Sequence, residues 1–258
     1  LAAAKVGGIY ANDKYPADFL LENLKIQNNV IENAWKNDSK RLLFLGSSCI
    51  YPKFARQPIK EESLLTGELE PTNQWYSIAK ISGLKLCQAL REQHGFDAIG
   101  LMPTNLYGPG DNYHLQNSHV IPALLRKFYE AKVNNLNKVD CWGSGNPKRE
   151  FLHVDDLADA CEFVLKNWIP DFNNSPLDVD GKILPFLNVG SGVDLSIFDL
   201  ASLIAEVTRF KGQIIWDKSK PDGTPRKNLN VVRINKIGWK SKIDLIHGLE
   251  STFEDLKN

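Results

Sequence analysis

Residues 41–102 alternate two patterns in an order that few folds accept. Residues 41–48 compress into Leu42-Leu43-Phe44-Leu45 and stop at Gly46-Ser47-Ser48, as a strand covered on both faces does. A long amphipathic helical pattern fills 74–94, and 98–102 return as a second short apolar strand. Upstream, 18–37 carry helical spacing through Phe19, Leu20, Leu24, Ile26, Val30, Ile31 and Trp35, and Leu1 to Val6 end at Gly7-Gly8 like the close of another buried strand. Strand, helix, strand, helix, strand predicts a parallel sheet wound with crossover helices, an α/β fold. Ligands of such sheets lie beyond the carboxyl ends of the strands, so the chemistry is sought from Gly46 and from Pro103 onward.

The second half reads differently. After the loop-rich stretch 107–117, helices are predicted near 122–132 and over 154–166, and a strand over 186–189. A helix over 195–208, an extended Ile214-Ile215-Trp216 and a helix after Asp244 complete the chain. The expected organisation is a dinucleotide domain from 1–112 and 146–190, with a smaller mixed α/β substrate lobe from 113–145 and 191–258. There are no internal repeats or low-complexity tracts.

Composition narrows the function class. Lysine plus arginine, 31, equals aspartate plus glutamate, 31, so no net field gathers a polyanion and no nucleic-acid partner is expected. Cys49, Cys87, Cys141 and Cys161 lack CxxC spacing and have no histidine at metal-ligand distance in sequence, which argues against a zinc site or a disulfide framework and for a reducing cytoplasm. No apolar run approaches the roughly 20 residues that cross a bilayer. The first residue is Leu1, and the chain is expected to begin inside a longer protein.

The chemistry is concentrated in Tyr76-Ser77-Ile78-Ala79-Lys80. On a helix its tyrosine and lysine share one face, and an ammonium beside a phenol is expected to draw the phenol pKa down toward working pH, so that its hydroxyl trades a proton with a substrate alcohol or ketone. Gly46-Ser47-Ser48-Cys49-Ile50-Tyr51-Pro52 brings a hydroxyl from the strand end toward the same oxygen. Further on stand Pro103-Thr104-Asn105-Leu106-Tyr107-Gly108-Pro109, Gly143-Ser144-Gly145, Arg149-Glu150-Phe151-Leu152-His153-Val154-Asp155-Asp156 and Asn188-Val189-Gly190-Ser191-Gly192.

These motifs, in this order, resemble the extended short-chain dehydrogenase/reductases, with their Rossmann-type sheet. Through GSSCIYP, NSHVIPALLRK, WGSGNPKREFLHVDD and KPDGTPRK the chain is most similar to the GDP-L-fucose synthases. That resemblance implies inversion of C3 and C5 of GDP-4-keto-6-deoxy-D-mannose and reduction of C4 with NADPH, in a cytoplasmic homodimer. The family's active serine stands four positions before the tyrosine of its strand-end motif, which selects Ser47, ahead of Tyr51, over Ser48. The catalytic set it implies is Ser47, Tyr76 and Lys80, with Cys49 and His119 as the acid/base pair for inversion. The reference pKa values of cysteine and histidine, about 8.5 and 6.5, bracket neutral pH as proton shuttling requires. For the nicotinamide end it implies Ala2 and Ala3 by backbone, Leu45, Gly46, Ser47, Ser48, Tyr76, Lys80, Pro103, Thr104, Asn105, Leu106 and His119. For GDP it implies Lys127, Trp142, Arg149 and Asp222. His153, in a motif common to the wider superfamily, is expected to anchor a strand-helix junction, and Arg226 is left without a role.

One departure is plain: no GxxGxxG turn opens the chain, although such a turn seats the cofactor pyrophosphate on a helix N-terminus. The resemblance places Leu1 inside the fourth strand of the family's sheet. Two other readings use the same residues. A sugar-nucleotide 4-epimerase or dehydratase keeps Ser47, Tyr76 and Lys80 without requiring Cys49 and His119, and a dehydratase wants a carboxylic acid near Ser47 that Ser48-Cys49-Ile50 does not supply. A non-catalytic GDP-sugar-binding fragment is the reading from outside enzymology.

Overall fold

The computed structural model describes residues 1–114, 118–220 and 222–257. In chain order the strands are β1 (Leu42–Leu45), β2 (Ala98–Pro103), β3 (Asn105–Tyr107), β4 (Lys138–Trp142), β5 (Lys148–His153), β6 (Phe186–Val189), β7 (Asp194–Ser196), β8 (Gln213–Asp217) and β9 (Arg226–Lys227). The helices are α1 (Ile9–Lys14), α2 (Pro16–Lys36), α3 (Gln74–His94), α4 (Val120–Val133), α5 (Val154–Asn167), α6 (Ile197–Thr208), α7 (Val232–Lys236) and α8 (Leu245–Lys257).

Strands β1, β2 and β6 form a parallel sheet in that order, with Leu43 opposite Ile99 and Leu101 opposite Leu187. Both faces are covered, which is why β2 is buried at every position and why its sequence does not alternate. Phe44, Ile99, Leu101, Met102, Phe186 and Leu187 are essentially without solvent exposure. At about 1.5–3 kcal/mol for each large apolar side chain, this layer outweighs the surface ion pairs, worth about 1 kcal/mol or less apiece.

Helices α2 and α3 pack against each other over β1. Pro16 opens α2 with its φ already set for a helix, and the left-handed Gly95, at φ 69°, closes α3. The Gln27 side chain crosses between them to donate to the Ala79 carbonyl at 2.6 Å. Gly83 allows α3 to lie on the sheet, since a Cβ there would stand 2.6 Å from the Phe44 ring.

A second core joins Ile121, Leu125 and Phe128 of α4 to Leu200 and Ile204 of α6 and Leu249 of α8, with Phe128 meeting Phe210 edge-on at 5.4 Å. Around it run the parallel pair β4–β8 and the small mixed sheet of β3, β5, β7 and β9. Segment 191–258 does not stay on one side. Leu229, Val231, Ile234 and Trp239 pack into the first core, and β9 pairs with β5.

The opening also departs from expectation. Residues 1–8 carry no strand; Leu1 alone meets β1 in the backbone ladder, its amino group donating to Leu43 O and its carbonyl accepting from Leu45 N–H at 3.2 Å. The chain then turns aside, and Lys5 is held through both backbone groups by the Asn23 side chain of α2. Strands β3, β4, β5 and β9 lacked any apolar run to announce them. In β4 the burial alternates residue by residue, with Lys138, Asp140 and Trp142 outward and Val139 and Cys141 inward, so no apolar run marks it.

Candidate active site

The carboxyl ends of β1 and β2 open into a cavity of about 460 Å³, closed on its far side by β5 and the residues around β9. At the end of β1 the chain passes through Gly46, where a Cβ would fall 2.3 Å from Met102 Sδ, so the glycine leaves room for the buried Met102 side chain of β2. Ser47 follows in extended conformation and caps the short turn Ser48–Ile50, its Oγ accepting from Cys49 N–H at 3.2 Å. The hydroxyl also reaches Tyr76, to which it is hydrogen-bonded.

Tyr76 sits in the first turn of α3 with Lys80 one turn below. The Lys80 ammonium lies 5.8 Å from the Tyr76 ring centre and 5.0 Å from that of Phe44. Lys80 is 3% exposed, and its Nζ donates to Leu45 O at 2.8 Å. Burial lowers its pKa from the ordinary value to about 8.

The expected lowering of the Tyr76 pKa does not hold in this state. Burial drives the phenol well above its ordinary value, the neighbouring Cys49 adds to the rise, and the bond from Ser47 opposes it. Desolvation of the phenolate is the largest cause, and Lys80 is not among the groups that shift it. Tyr76 is therefore a protonated acid at neutral pH.

Cys49 stands in the same wall, partly open to the cavity. Asn73 Nδ2 lies 3.4 Å from its sulfur and Lys227 Nζ 3.8 Å. His119 begins α4 and lines the cavity with more than a third of its surface open. Desolvation lowers its pKa below 6.5, against the charge of Asp111. Asn117, in the same sequence motif, lies outside the described residues.

Pro103, Thr104, Asn105 and Leu106 form the adjoining wall. Thr104 Oγ1 and Asn105 Nδ2 both donate to the Glu150 carbonyl, at 3.1 and 2.8 Å. Ser48 lines the cavity, whereas Leu45 stands behind it, as the acceptor for Lys80. Ala2 and Ala3 are exposed and outside the wall, where Val6, Gly7 and Asn12 stand instead.

Of the residues expected at GDP, Arg149 alone lines the cavity. Desolvation lowers its pKa while Cys49, Glu70 and Asp222 raise it. The other three form an outer rim. Trp142 is 61% exposed at the end of β4, flanked by Lys127 at 5.4 Å and Lys220 at 5.7 Å from its ring. Asp222 has its oxygens engaged by Ser144, accepting from N–H at 2.7 Å and from Oγ at 2.8 Å, so it first of all closes the Gly143–Gly145 turn. His153 is buried away from the reaction and caps α5, its Nδ1 accepting from Asp155 N–H at 3.2 Å. Arg226 pairs with Asp194.

Lys227 and Asn73 escaped the sequence reading. Both come from segments whose polar residues look like ordinary turn formers, and only the fold carries them to the Cys49 sulfur in the turn after β1. Glu70 was missed as well; it takes Lys53 Nζ at 3.0 Å and Thr224 Oγ1 at 3.2 Å, tying the 223–227 loop to the entry of α3. No group of residues suited to a metal ion occurs among the described residues.

A parallel sheet whose strand-end serine meets a helix-borne tyrosine and a buried lysine defines a dinucleotide-dependent enzyme acting at a carbonyl or carbinol carbon. Residues 1–173 match the NAD dependent epimerase/dehydratase family. Over 254 residues, 98% of this chain and 74% of the relative, it is 58% identical to a putative GDP-L-fucose synthase 2 of Arabidopsis thaliana. Against the GDP-L-fucose synthase of Escherichia coli K12 it is 54% identical over 258 residues, 98% of the chain and 78% of the relative. Among solved structures, a GDP-mannoheptose C4 reductase from Campylobacter jejuni with NADP bound superposes at a TM-score of 0.86 with 33% identity, covering 100% of this chain and 82% of that one. The chain belongs to the NAD dependent epimerase/dehydratase family and, within it, to the GDP-L-fucose synthases.

Proposed function

We propose that the cavity walled by Ser47, Cys49, Tyr76 and His119 is where GDP-4-keto-6-deoxy-D-mannose is inverted at C3 and C5 and then reduced at C4, the reaction of the GDP-L-fucose synthases. The observation that carries this is the convergence of four proton-handling side chains, from the turn after β1, from α3 and from the start of α4, on one cavity. A plain ketone reductase has no use for the cysteine and histidine.

The C4 ketone acidifies the protons on both neighbouring carbons. Removal of one by Cys49 or His119 places negative charge on O4, and return of a proton from the opposite face inverts the carbon. Ser47 and Tyr76 direct their hydroxyls at that oxygen through both inversions. The Lys227 ammonium faces the Cys49 sulfur and stabilises the charge it takes on releasing a proton. NADPH, when bound, supplies the hydride to C4. Tyr76, protonated at neutral pH, delivers the proton to O4, where the alkoxide left by hydride addition is far more basic than a phenolate.

The cofactor fits this wall. Lys80 is a buried ammonium with three donors, one of them used on Leu45 O among the described residues; it lies behind the cavity lining, beside the Tyr76 ring, with donors to offer the hydroxyls of the ribose next to the nicotinamide. The rim suits GDP: Trp142 offers a stacking face, while Lys127 and Arg149 meet the diphosphate. The first-core residues then make the NADP domain and the second-core residues, with the rim, the GDP-sugar lobe. Exposed Leu21 and Val30 on α2 and Trp75 and Ile78 on α3 support a homodimer through these helices, and four free cysteines support a cytoplasmic setting. No described helix is long and apolar enough to cross a membrane.

The deciding assay follows NADPH oxidation with GDP-4-keto-6-deoxy-D-mannose in D2O and locates deuterium in the product by NMR. Label at both C3 and C5 of GDP-L-fucose is expected. Reduction without label at either carbon would leave a simple C4 reductase.

A further inference from the structure

Glu150 is a carboxylate with no solvent exposure, one residue after Arg149 and pointing away from the cavity. Its oxygens accept two backbone N–H groups from distant segments: Oε1 from Gly192 at 2.7 Å and Oε2 from Leu229 at 2.7 Å. Its own carbonyl takes Thr104 and Asn105. One residue thus ties the strand-end turn 190–192, the segment after β9 and the cavity wall after β2 to a single point on β5.

No lysine, arginine or histidine is bonded to this carboxylate among the described residues, and burial raises its pKa to about 7, with Asp194 adding to the rise and the Leu229 and Gly192 N–H groups opposing it. An apolar side chain of the same volume would avoid the desolvation cost of a buried carboxyl. What the carboxylate alone provides is two acceptors at fixed directions. Gly190 is shaped to the same end, since a Cβ there would fall 2.1 Å from Glu150 Oε1.

Lys227 lies two residues before Leu229. It is registered opposite Arg149 in the β5–β9 pair, and its ammonium reaches Cys49 Sγ. The other side of this segment is held by Gln57 and Ile59, through Asn228 N–H to Gln57 Oε1 at 2.9 Å and Ile59 N–H to Asn228 O at 2.8 Å. We propose that Glu150 is a positioning residue for the inversion steps: by anchoring Leu229 and Gly192 it holds the Lys227 ammonium against the Cys49 sulfur. This rests on the reading of Cys49 as an acid/base group.

The test is a double-mutant cycle on the NADPH-loaded enzyme, reading deuterium incorporation at C3 and C5 of the sugar nucleotide, with NADPH affinity measured alongside. In Glu150→Gln an amide NH2 replaces one acceptor and faces a backbone N–H. Exchange is expected to fall about tenfold or more while NADPH affinity stays within about twofold. Lys227→Met is expected to fall comparably, and the double variant no further than Lys227→Met alone, because two residues acting through one contact do not add. Glu150→Asp, which keeps the charge, is expected to recover part of the rate.

Wild-type exchange in Glu150→Gln, or a double variant whose losses multiply, overturns the proposal. So does unfolding of both the Gln and Asp variants, which would make the residue a purely structural one. Cys49→Ser run in parallel separates the two levels: if it exchanges at the wild-type rate, the acid/base reading fails, whereas a slow Cys49→Ser beside a normal Glu150→Gln sinks the positioning role alone.

Discussion

The floor of the cavity and its rim are built on opposite principles. Ser47, Tyr76, Lys80 and Cys49 hang from the end of β1 and the first turns of α3, elements pressed together by a closed apolar core, and each is fixed by a bond to its neighbours. Trp142 and Lys220 stand in solvent at the end of β4 and on the loop beyond β8, and half-buried Lys127 reaches the Trp142 ring from α4, its Nζ also donating to Asp140 O at 3.1 Å. Proton and hydride transfer tolerate little misplacement, so the reacting groups sit on rigid elements. A nucleotide that must enter and leave is met by exposed side chains whose contacts form on arrival.

If the comparison is right, the largest effect of any substitution belongs to the floor. Tyr76→Phe removes the hydroxyl that protonates O4 and leaves the ring packing intact. NADPH oxidation should fall on the order of a hundredfold or more, with an unchanged circular dichroism spectrum. Near-normal turnover would take Tyr76 out of the chemistry.

Next comes the acid/base pair, which splits the floor's two jobs. Cys49→Ser replaces a thiol by a far weaker acid. It should slow deuterium incorporation at C3 and C5 by roughly tenfold to a hundredfold, with NADPH affinity nearly unchanged. His119→Gln should slow exchange too and also weaken NADPH binding, because His119 faces the cavity beside the wall from Pro103 to Leu106. Undiminished exchange at both carbons in the two variants would remove the inversion chemistry and leave a reductase.

The same division explains what the sequence disclosed. Helix α3 and strand β6 were legible to their end residues, because long amphipathic spacing and a short, mostly apolar segment are local signals. The cavity floor was legible for a related reason: Ser47 and Cys49 share one strand end, and Tyr76 and Lys80 one helix turn. Lys227 and Asn73 were not, since their partner Cys49 is reached only after β9 pairs with β5 and α3 packs on β1. The Tyr76 pKa went astray on the same ground. Residue spacing shows that a lysine is near, but only the fold shows that the phenol is buried enough for desolvation to set the shift. Ala2 and Ala3 lie outside the cavity lining, between Leu1 on β1 and Lys5, which Asn23 fixes by a tertiary contact.

On the rim the expected effects are smaller and of another kind. Trp142→Ala removes the stacking face, worth roughly 1–3 kcal/mol for a base on an aromatic ring. It should raise KM for the GDP-sugar about tenfold while kcat changes less than about twofold. Lys220→Met, removing one of two cations at that ring, should raise KM by only a few-fold, and more weakly at high salt. A fall in kcat as large as the rise in KM would show that the rim takes part in the transition state, and the contrast with the floor would be lost.

The smallest effect is one of sign, and it separates the regions by their carboxylates. Glu150, behind the cavity wall, has its pKa raised by burial to about 7, whereas Asp222, on the rim, has its pKa lowered by the Ser144 N–H and hydroxyl. A carboxyl with a raised folded pKa holds its proton more tightly in the native state. Between its unfolded value near 4.5 and about 7 the folded chain therefore binds more protons, and stability falls as pH rises. Asp222 works the other way: its contribution is complete above its unfolded value of 3.8 and is lost only as pH drops below that. His119, with a lowered pKa, adds stability as pH rises toward 6.5, but it is present in every variant compared and cancels. Melting temperatures between pH 5 and 7.5 should show the wild type losing a few degrees relative to Glu150→Gln as pH increases. Asp222→Asn should keep a constant offset from the wild type over that range. A constant offset for Glu150→Gln as well would mean that Glu150 is ionised throughout, and that the wall behind the cavity is better solvated than its packing implies.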